Sequence, residues 1–338
     1  YEKEKCSLDE AVRLALTRVV GAYAIVVMSL EEPDTLIAAR KGSPLVLGIG
    51  KGEYFMASDA TPIIEYTNEV VYLNDQEIAL VKGGKLTIKN VANLPLTPYI
   101  QTIDMELEAL EKGGYDHFML KEIFEQPRSI MDCMRGRLDS STNRLVLGGL
   151  REYINKLVHA DRILIVACGT SWHAGLVSEY FFEEFCRIPT EVEYASEFRY
   201  RNPIIREGDV VIAISQSGET ADTLAAIELA KSKGAIIFGV CNVVGSSIPR
   251  ATHAGAYTHA GPEIGVASTK AFTAQLTVLN LIALIVAHSK GSITEQRFHE
   301  MLVELESIPA KVEKVLKSNE KIQSIAAEFK DVTNFLYL

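Results

Sequence analysis

Three uninterrupted apolar segments, each followed by a short loop of small polar residues, constrain the fold more than any other feature of the chain. Continuous apolar runs of this length are typical of central strands in a parallel sheet that is covered on both faces. Helical patterns follow two of the loops, at 172–185 and 221–231. The sequence therefore predicts a doubly wound α/β domain. Its predicted central strands are 163–167, 210–214 and 236–240, with further candidate strands at 192–194 and 256–259.

The first hundred residues follow a different pattern. A helix is predicted to begin after Ser7, because Ser7 and Glu10 match a capping box and apolar residues follow at helical spacing. Short apolar runs then alternate with Gly-rich and Pro-containing turns. Connections this short cannot hold crossover helices, so the strands are predicted to be mostly antiparallel. The chain as a whole is therefore of mixed class, α+β followed by α/β.

The length of 338 residues, at about 150 residues per domain, indicates roughly two domains. Within the last segment the sequence predicts a charged helix at 295–315 and a strand beginning at 334–338, so we expect the natural polypeptide to continue. The predicted units are 1–95, an interdomain linker at 96–150, the α/β domain at 151–290, and a helical connection with the start of another domain at 291–338.

Charge and cysteine usage exclude several classes of partner. The chain carries 34 Lys and Arg against 44 Asp and Glu, a net charge of −10, which disfavours nucleic acid and anionic membranes as partners. The most apolar run, 276–287, is shorter than the about 20 residues that span a bilayer and predicts a buried helix. Five scattered cysteines without a C-x-x-C pair predict a reduced, cytoplasmic protein without structural zinc.

The polar loops that follow the predicted parallel strands are the candidate ligand site. The loops are 168–171, 215–220 and 242–247, and ligands of such sheets bind at the carboxyl ends of the strands. Ser and Thr at these turns are also ordinary helix N-caps, but three hydroxyl-rich loops on one edge indicate a phosphate cradle. Because the chain has neither a dinucleotide fingerprint after the first strand nor a P-loop, a small phosphorylated metabolite is favoured over a nucleotide.

Several longer motifs resemble the glutamine–fructose-6-phosphate aminotransferase family. The chain is similar to the first sugar-isomerase (SIS) domain of that family in the α/β half, and to the later part of its glutaminase domain, a class II (Ntn) amidotransferase fold, in the first half. The motif at 117–127 looks like the peptide that joins these two domains in the family. The motifs that carry the resemblance are 168–171, 215–223 and 263–272 in the α/β half, and 21–25, 39–44 and 57–62 in the first half.

The resemblance implies a reaction in which glutamine supplies ammonia and fructose 6-phosphate becomes glucosamine 6-phosphate, without a redox cofactor or a metal. It also implies a homodimer, and the apolar helix predicted at 276–287 is a second motive for self-association. Glutamine would be a partner of the full-length enzyme only. The residues that the resemblance places at the sugar phosphate are Thr170, Ser171, Ser215, Gln216, Ser217 and Thr220, with Val266 beside the sugar through its backbone.

No residue of the chain is assigned a catalytic role. The family's glutaminase nucleophile is a cysteine at the mature N-terminus, whereas residue 1 here is Tyr, and Cys6 is interpreted as structural. The family's proton-transfer groups would follow Leu338, so we expect these 338 residues alone to be inactive. Two alternatives stay open: a SIS-domain sugar-phosphate isomerase and a non-catalytic sugar-phosphate sensor. Lys270 and Glu219 are weaker candidates, each with an ordinary structural explanation.

Overall fold

The computed structural model describes residues 6–58, 60, 62–103 and 112–336. The outermost ends of the predicted units 1–95 and 291–338 therefore lie outside the described residues. So do residues 104–111 of the predicted linker and two positions, 59 and 61, of the motif at 57–62.

The first half consists of one helix and two antiparallel sheets, as the short connections predict. Helix α1 begins directly after Ser7, but the Ser7 hydroxyl forms no capping hydrogen bond, so that part of the capping-box prediction is wrong. Glu10 pairs instead with Arg13 on the next turn of the helix. The elements are α1 (Leu8–Leu16), β1 (Tyr23–Ser29), β2 (Glu32–Lys41), β3 (Val46–Ile49), β4 (Tyr54–Ala57), β5 (Glu69–Tyr72), β6 (Glu77–Lys82), β7 (Lys85–Asn90), β8 (Pro95–Leu96) and β9 (Gln101–Thr102).

These strands form two layers that pack against each other. One sheet has the order β1-β2-β6-β7-β8 and the other β4-β3-β5-β9. Successive side chains of a strand point to opposite faces. Ala38 on β2 accordingly packs with Leu47 of the second sheet, while its neighbours Ile37 and Ala39 pack with α1. Helix α1 therefore packs on one face of the first sheet, and the second sheet packs on its other face.

A helical segment connects the two halves. Helix α2 (Phe118–Met134) packs along a later, buried helix, and a short hairpin and two turns follow it. Strands β8 and β9 pair with β7 and β5, so the sheets of the first half extend to residue 102. The connecting elements are β10 (Leu138–Asp139), β11 (Arg144–Leu145), a 3₁₀ turn (Gly148–Leu150) and α3 (Ile154–Val158).

The α/β domain is a five-stranded parallel sheet with helices on both faces. Its strand order is β13-β12-β14-β15-β16, and every neighbouring pair is parallel. Side chains such as Ile165 and Ile212 lie in one core cluster, and Val166 and Val211 lie in another. The elements are β12 (Arg162–Ala167), α4 (Gly169–Phe181), a π turn (Phe182–Cys186), β13 (Thr190–Tyr194), α5 (Ala195–Phe198), β14 (Asp209–Ser215), α6 (Ala221–Ser232), β15 (Ile236–Cys241), α7 (Ser247–Ala251) and β16 (Ala254–Tyr257).

Three helices complete the described chain: α8 (Lys270–Lys290), α9 (Glu295–Leu316) and α10 (Asn319–Phe329). Helix α8 is long and apolar enough to cross a membrane by length and composition, but 67% of its apolar window is buried inside the protein, as in a core helix. It is buried within one protomer and so gives no surface for self-association. The strand predicted from residue 334 is not formed over 334–336, because the described residues place no strand beside it, and 337–338 lie outside them.

Candidate sugar-phosphate site

The candidate site lies where the direction of the sheet reverses. Strand β12 has β13 on one side and β14 on the other, so the chain turns opposite ways after β12 and after β14. A crevice forms at such a switch point, outside the carboxyl ends of the two strands. The loops at this point are 168–171 and 215–220, which are two of the three loops that the sequence analysis selected.

The 215–220 turn folds around its own hydroxyl groups. Ser215 ends β14, and its Oγ accepts a hydrogen bond from the Gly218 amide at 3.0 Å and lies 2.9 Å from Thr220 Oγ1. Ser217 Oγ accepts from the Glu219 amide at 3.1 Å. Gly218 adopts a φ of +68°, which favours glycine. The turn therefore has a defined shape in which Ser217, Thr220 and the neighbouring Gln216 stay half-buried and accessible.

Helix α6 begins immediately after this turn, and Thr220 is its N-cap residue without a capping hydrogen bond from its side chain. Free amide groups and the positive end of a helix dipole attract anions. The Thr220 hydroxyl is not used as a cap, and because it can accept the proton of Ser215 Oγ, it can donate its own proton to a ligand oxygen. The turn and the helix start can thus bind a phosphate group together.

The structure places the predicted loop 168–171 at the start of helix α4, whose first turn presents two hydroxyl groups in different ways. Thr170 is exposed, whereas Ser171 is buried and its Oγ accepts a hydrogen bond from Gln275 Nε2 at 3.0 Å. Gln275 is 1% exposed on α8, and its Oε1 has no partner in the described part of the chain. Gln275 was not predicted from the sequence. A polar residue within an otherwise apolar buried helix was the signal that could have found it.

Two glutamates shape the segment that carries Val266. Glu263 Oε1 accepts from the amides of Thr269 and Ala271, and Glu122 of α2 accepts from those of Ile264 and Gly265, at 2.6–3.1 Å. Val266 is fully exposed beyond these bonds. Nearby, the buried hydroxyls of Ser268 and Thr269 have no partner in the described residues. Glu122 was not predicted from the sequence, because its contact spans more than 140 positions along the chain.

The third predicted loop, 242–247, does not add free hydroxyl groups, which corrects the three-loop cradle. Ser246 Oγ donates to the Val243 carbonyl at 2.7 Å, and Ser247 Oγ accepts from Arg40 of the first half at 2.9 Å. Asn242 binds the chain after β16, since its Oδ1 accepts from the Ala260 amide. The hydroxyl oxygens of Ser246 and Ser247 in this loop are therefore engaged by other groups of the protein.

The remaining candidates have structural partners. Lys270 Nζ pairs with Glu125 at 2.6 Å and is buried, so its structural explanation is supported over phosphate pairing. Trp172 stacks on Tyr194 with ring centroids 4.2 Å apart. Burial raises the pKa of Glu219, although hydrogen bonds from Ser247 and the charges of Arg40 and Arg250 act in the opposite direction. Within the described ranges, no group of three or more His, Cys, Asp or Glu side chains is arranged to hold a metal ion.

Comparisons with known proteins identify a domain family for the α/β half. Residues 156–285 match the model of the SIS domain. The chain is 60% identical over 335 residues to a glutamine–fructose-6-phosphate aminotransferase (isomerising) of Bacteroides thetaiotaomicron, covering 99% of this chain and 55% of the relative. It is 58% identical over 332 residues to that of Chlorobaculum tepidum, covering 98% and 54%. The chain thus spans about half the length of the curated relatives that it matches.

A solved structure is also similar. The C-terminal domain of glucosamine-fructose-6-phosphate aminotransferase from Francisella tularensis superposes with a TM-score of 0.62 and 40% identity, covering 65% of this chain and 62% of that one. The similarity supports the same arrangement of the parallel sheet and its flanking helices.

Proposed function

We propose, from the premise that this chain belongs to the glutamine–fructose-6-phosphate aminotransferase family, that it binds the sugar phosphate for an enzyme making glucosamine 6-phosphate. The nitrogen donor of that reaction is glutamine, and fructose 6-phosphate is the acceptor. The observation that carries the proposal is the pair of hydroxyl-bearing turns at the switch point of the sheet. Their position beside two helix starts suits a phosphorylated ligand.

The residues proposed to bind the sugar phosphate are those of the two turns and one backbone position. Ser217, Thr220 and Gln216 offer accessible polar groups, and Thr170 is exposed in the first turn of helix α4. Ser215 and Ser171 are buried and act mainly by fixing the shape of the turns. Val266 contributes its backbone, which Glu122 and Glu263 hold in place on either side. Each hydrogen bond to a charged phosphate contributes about 1.5–3 kcal/mol.

The first half is proposed to be the later part of a class II glutaminase domain, predicted over 1–95 and with sheets that reach residue 102, followed by the linker predicted at 96–150 and the SIS domain predicted at 151–290. Its two packed antiparallel sheets support this assignment. A cytoplasmic location is part of the proposal, since all five cysteines are free thiols. Residues 291–338 are proposed to lead into a second SIS domain, and the enzyme is proposed to be a homodimer.

Titration calorimetry of the 338-residue protein with fructose 6-phosphate and with glucosamine 6-phosphate tests the proposal. We expect both ligands to bind, and Ser217→Ala and Thr220→Ala each to weaken binding by about tenfold, because each removes a hydrogen bond to a charged group. Ser232→Ala is the matched control, since Ser232 is exposed at the far end of α6. Absence of binding by the unmodified protein, or equal affinity in all variants, would overturn the proposed site.

A further inference from the structure

A buried arginine joins the two halves of the chain. Arg40 lies on β2 and is 4% exposed. Its Nη1 donates to the Leu73 carbonyl of the first half and to Ser247 Oγ of the α/β domain, both at 2.9 Å, and its Nη2 pairs with Asp75 at 3.1 Å. A single guanidinium is therefore bonded to both halves at once.

Ser247 connects this arginine to the 215–220 turn. The Ser247 amide donates to Glu219 Oε1 at 2.7 Å, and its hydroxyl also accepts from Arg250 at 3.2 Å. Glu219 is 6% exposed and lies between Ser217 and Thr220 in the sequence. Arg40 is thus connected through Ser247 to Glu219, whose side chain belongs to the proposed phosphate-binding turn.

The backbone of the turn is attached to the same region, which we call the bridging segment, residues 242–251. Its amides at Asn242 and Ile248 donate to the carbonyls of Gln216 and Gly218, at 3.2 and 2.8 Å. The two surfaces are in close contact, because a Cβ at Gly218 would lie 1.9 Å from Ser246 Oγ. A displacement of the bridging segment must therefore move the turn.

Charge makes this connection sensitive to Arg40. Glu219 is a buried carboxylate whose Oε2 has no hydrogen-bond partner in the described residues, and Arg40 and Arg250 supply the nearby positive charge. Removing one partner from a buried ionic group is costly, because the remaining charge is left with less compensation. Without Arg40, only the Ser247 amide and the Arg250 charge compensate the Glu219 carboxylate, which favours its protonated form and so changes the hydrogen bonding beside the turn.

We propose that Arg40 is a positioning residue for the sugar-phosphate site: through Ser247 and Glu219 it makes the affinity of the 215–220 turn depend on the first half of the chain. Coupling of this kind is reciprocal, so the sugar phosphate in turn stabilises the contact between the halves. This inference deepens the proposed function and rests on it. It assigns the interface between the halves a part in ligand binding.

The first experiment compares fructose 6-phosphate affinity in the 338-residue protein and its variants by calorimetry. Arg40→Met is expected to weaken binding by about tenfold, within the range typical of coupled sites. Ser247→Ala, a smaller change, is expected to weaken binding in the same direction. Arg13→Met is the matched control, since Arg13 is also paired with a glutamate and a backbone carbonyl but lies wholly within the first half.

A double-mutant cycle separates positioning from general damage. If Arg40 acts through Glu219, the double variant Arg40→Met/Glu219→Gln loses less affinity for fructose 6-phosphate than the product of the fold losses in the two single variants. If the fold losses in affinity of the two single variants simply multiply, the proposed route through Glu219 is wrong. The inference also fails if Arg40→Met and Ser247→Ala both bind as tightly as the unmodified protein, or no more weakly than Arg13→Met.

Hydrogen exchange tests the reciprocal effect. The Gln76 amide donates to the Arg40 carbonyl and the Gly42 amide to Asp75, both within the first half. Fructose 6-phosphate is expected to slow exchange at these amides in the unmodified protein and not in Ser247→Ala. Binding without such slowing contradicts the coupling while leaving the proposed function intact. Absence of binding by the unmodified protein rejects the proposed function itself, and the inference falls with it.

Discussion

At the scale of single residues, neighbouring serines of similar sequence context have different roles. Ser215 and Ser217 bond to amides of their own turn and fix its shape, whereas Ser246 and Ser247 are bonded to a carbonyl and to two arginines. A hydroxyl group both donates and accepts, so its role is set by whichever group the fold brings within about 3 Å. Residue type alone therefore does not identify which serines face a ligand.

The cysteines allow a prediction at the same scale. Burial raises the pKa of Cys133 and of Cys186 to about 12, and burial also raises that of Cys241. At a pKa of about 12, on the order of one thiol in ten thousand is ionised at pH 8, and the thiolate is the reactive form. We expect a disulfide reagent to modify only Cys6 and Cys168, which are partly exposed, rapidly in the folded protein.

All five thiols should react after denaturation, which is the control for this titration. Rapid modification of a third thiol in the folded protein would contradict the described burial.

The raised pKa values of the buried thiols also predict that the stability of the fold depends on pH. Because folding raises these pKa values, the unfolded chain loses the thiol protons first, so the folded state loses stability as the pH rises above about 8.5.

At the scale of elements, the close approach of the 215–220 turn and the bridging segment depends on one glycine. Gly218 has a left-handed backbone, and a side chain there would collide with Ser246. Gly234, at the end of α6, is also left-handed, with a φ of +88°, but a Cβ there would meet nothing within 4 Å. A side chain at either position would be strained by the left-handed backbone. Only at Gly218 would it also collide with a neighbouring residue, Ser246.

We therefore predict that Gly218→Ala reduces both stability and sugar-phosphate affinity more than Gly234→Ala does. Forcing a non-glycine residue into the left-handed region costs about 1–2 kcal/mol at either position. The collision adds a further about 1–3 kcal/mol at Gly218, typical of overpacking. Urea unfolding measures the free energies, and calorimetry measures the affinity. Equal effects of the two substitutions would show that the contact with Ser246 is not tight.

At the scale of the whole molecule, the long apolar helix does not create an association surface, because α8 is the central core helix of the α/β domain. Helix α10 differs from it in having no buried residue. Ile322, Ile325 and Phe329 are each about half exposed on it and recur at helical spacing. The charged helix predicted from the sequence is thus followed by an amphipathic one whose apolar face is about half exposed, with Phe335 lying against Phe329 at one end.

We expect the proposed homodimer to use this apolar face. Sedimentation of the 338-residue protein should then show association that Ile325→Glu reduces, since the substitution places a charge in an apolar contact. Glu320→Gln is the control, because it changes the charge of the same helix away from the apolar stripe. A monomer well above micromolar concentration in the unmodified protein would remove α10 as the contact.

The sequence by itself determined the parallel strands, the antiparallel character of the first half, and the loops to search for a ligand. These depend on local patterns, since apolar periodicity and turn residues report the environment of nearby positions in the chain. Only the tertiary structure decided which hydroxyls are free. The roles of Gln275, Glu122, Arg40 and Ser247 depend on partners more than 100 positions away, and no local pattern encodes such a contact. Long-range packing, which assembles the open sheet and brings the halves together, therefore placed these residues beside the proposed site.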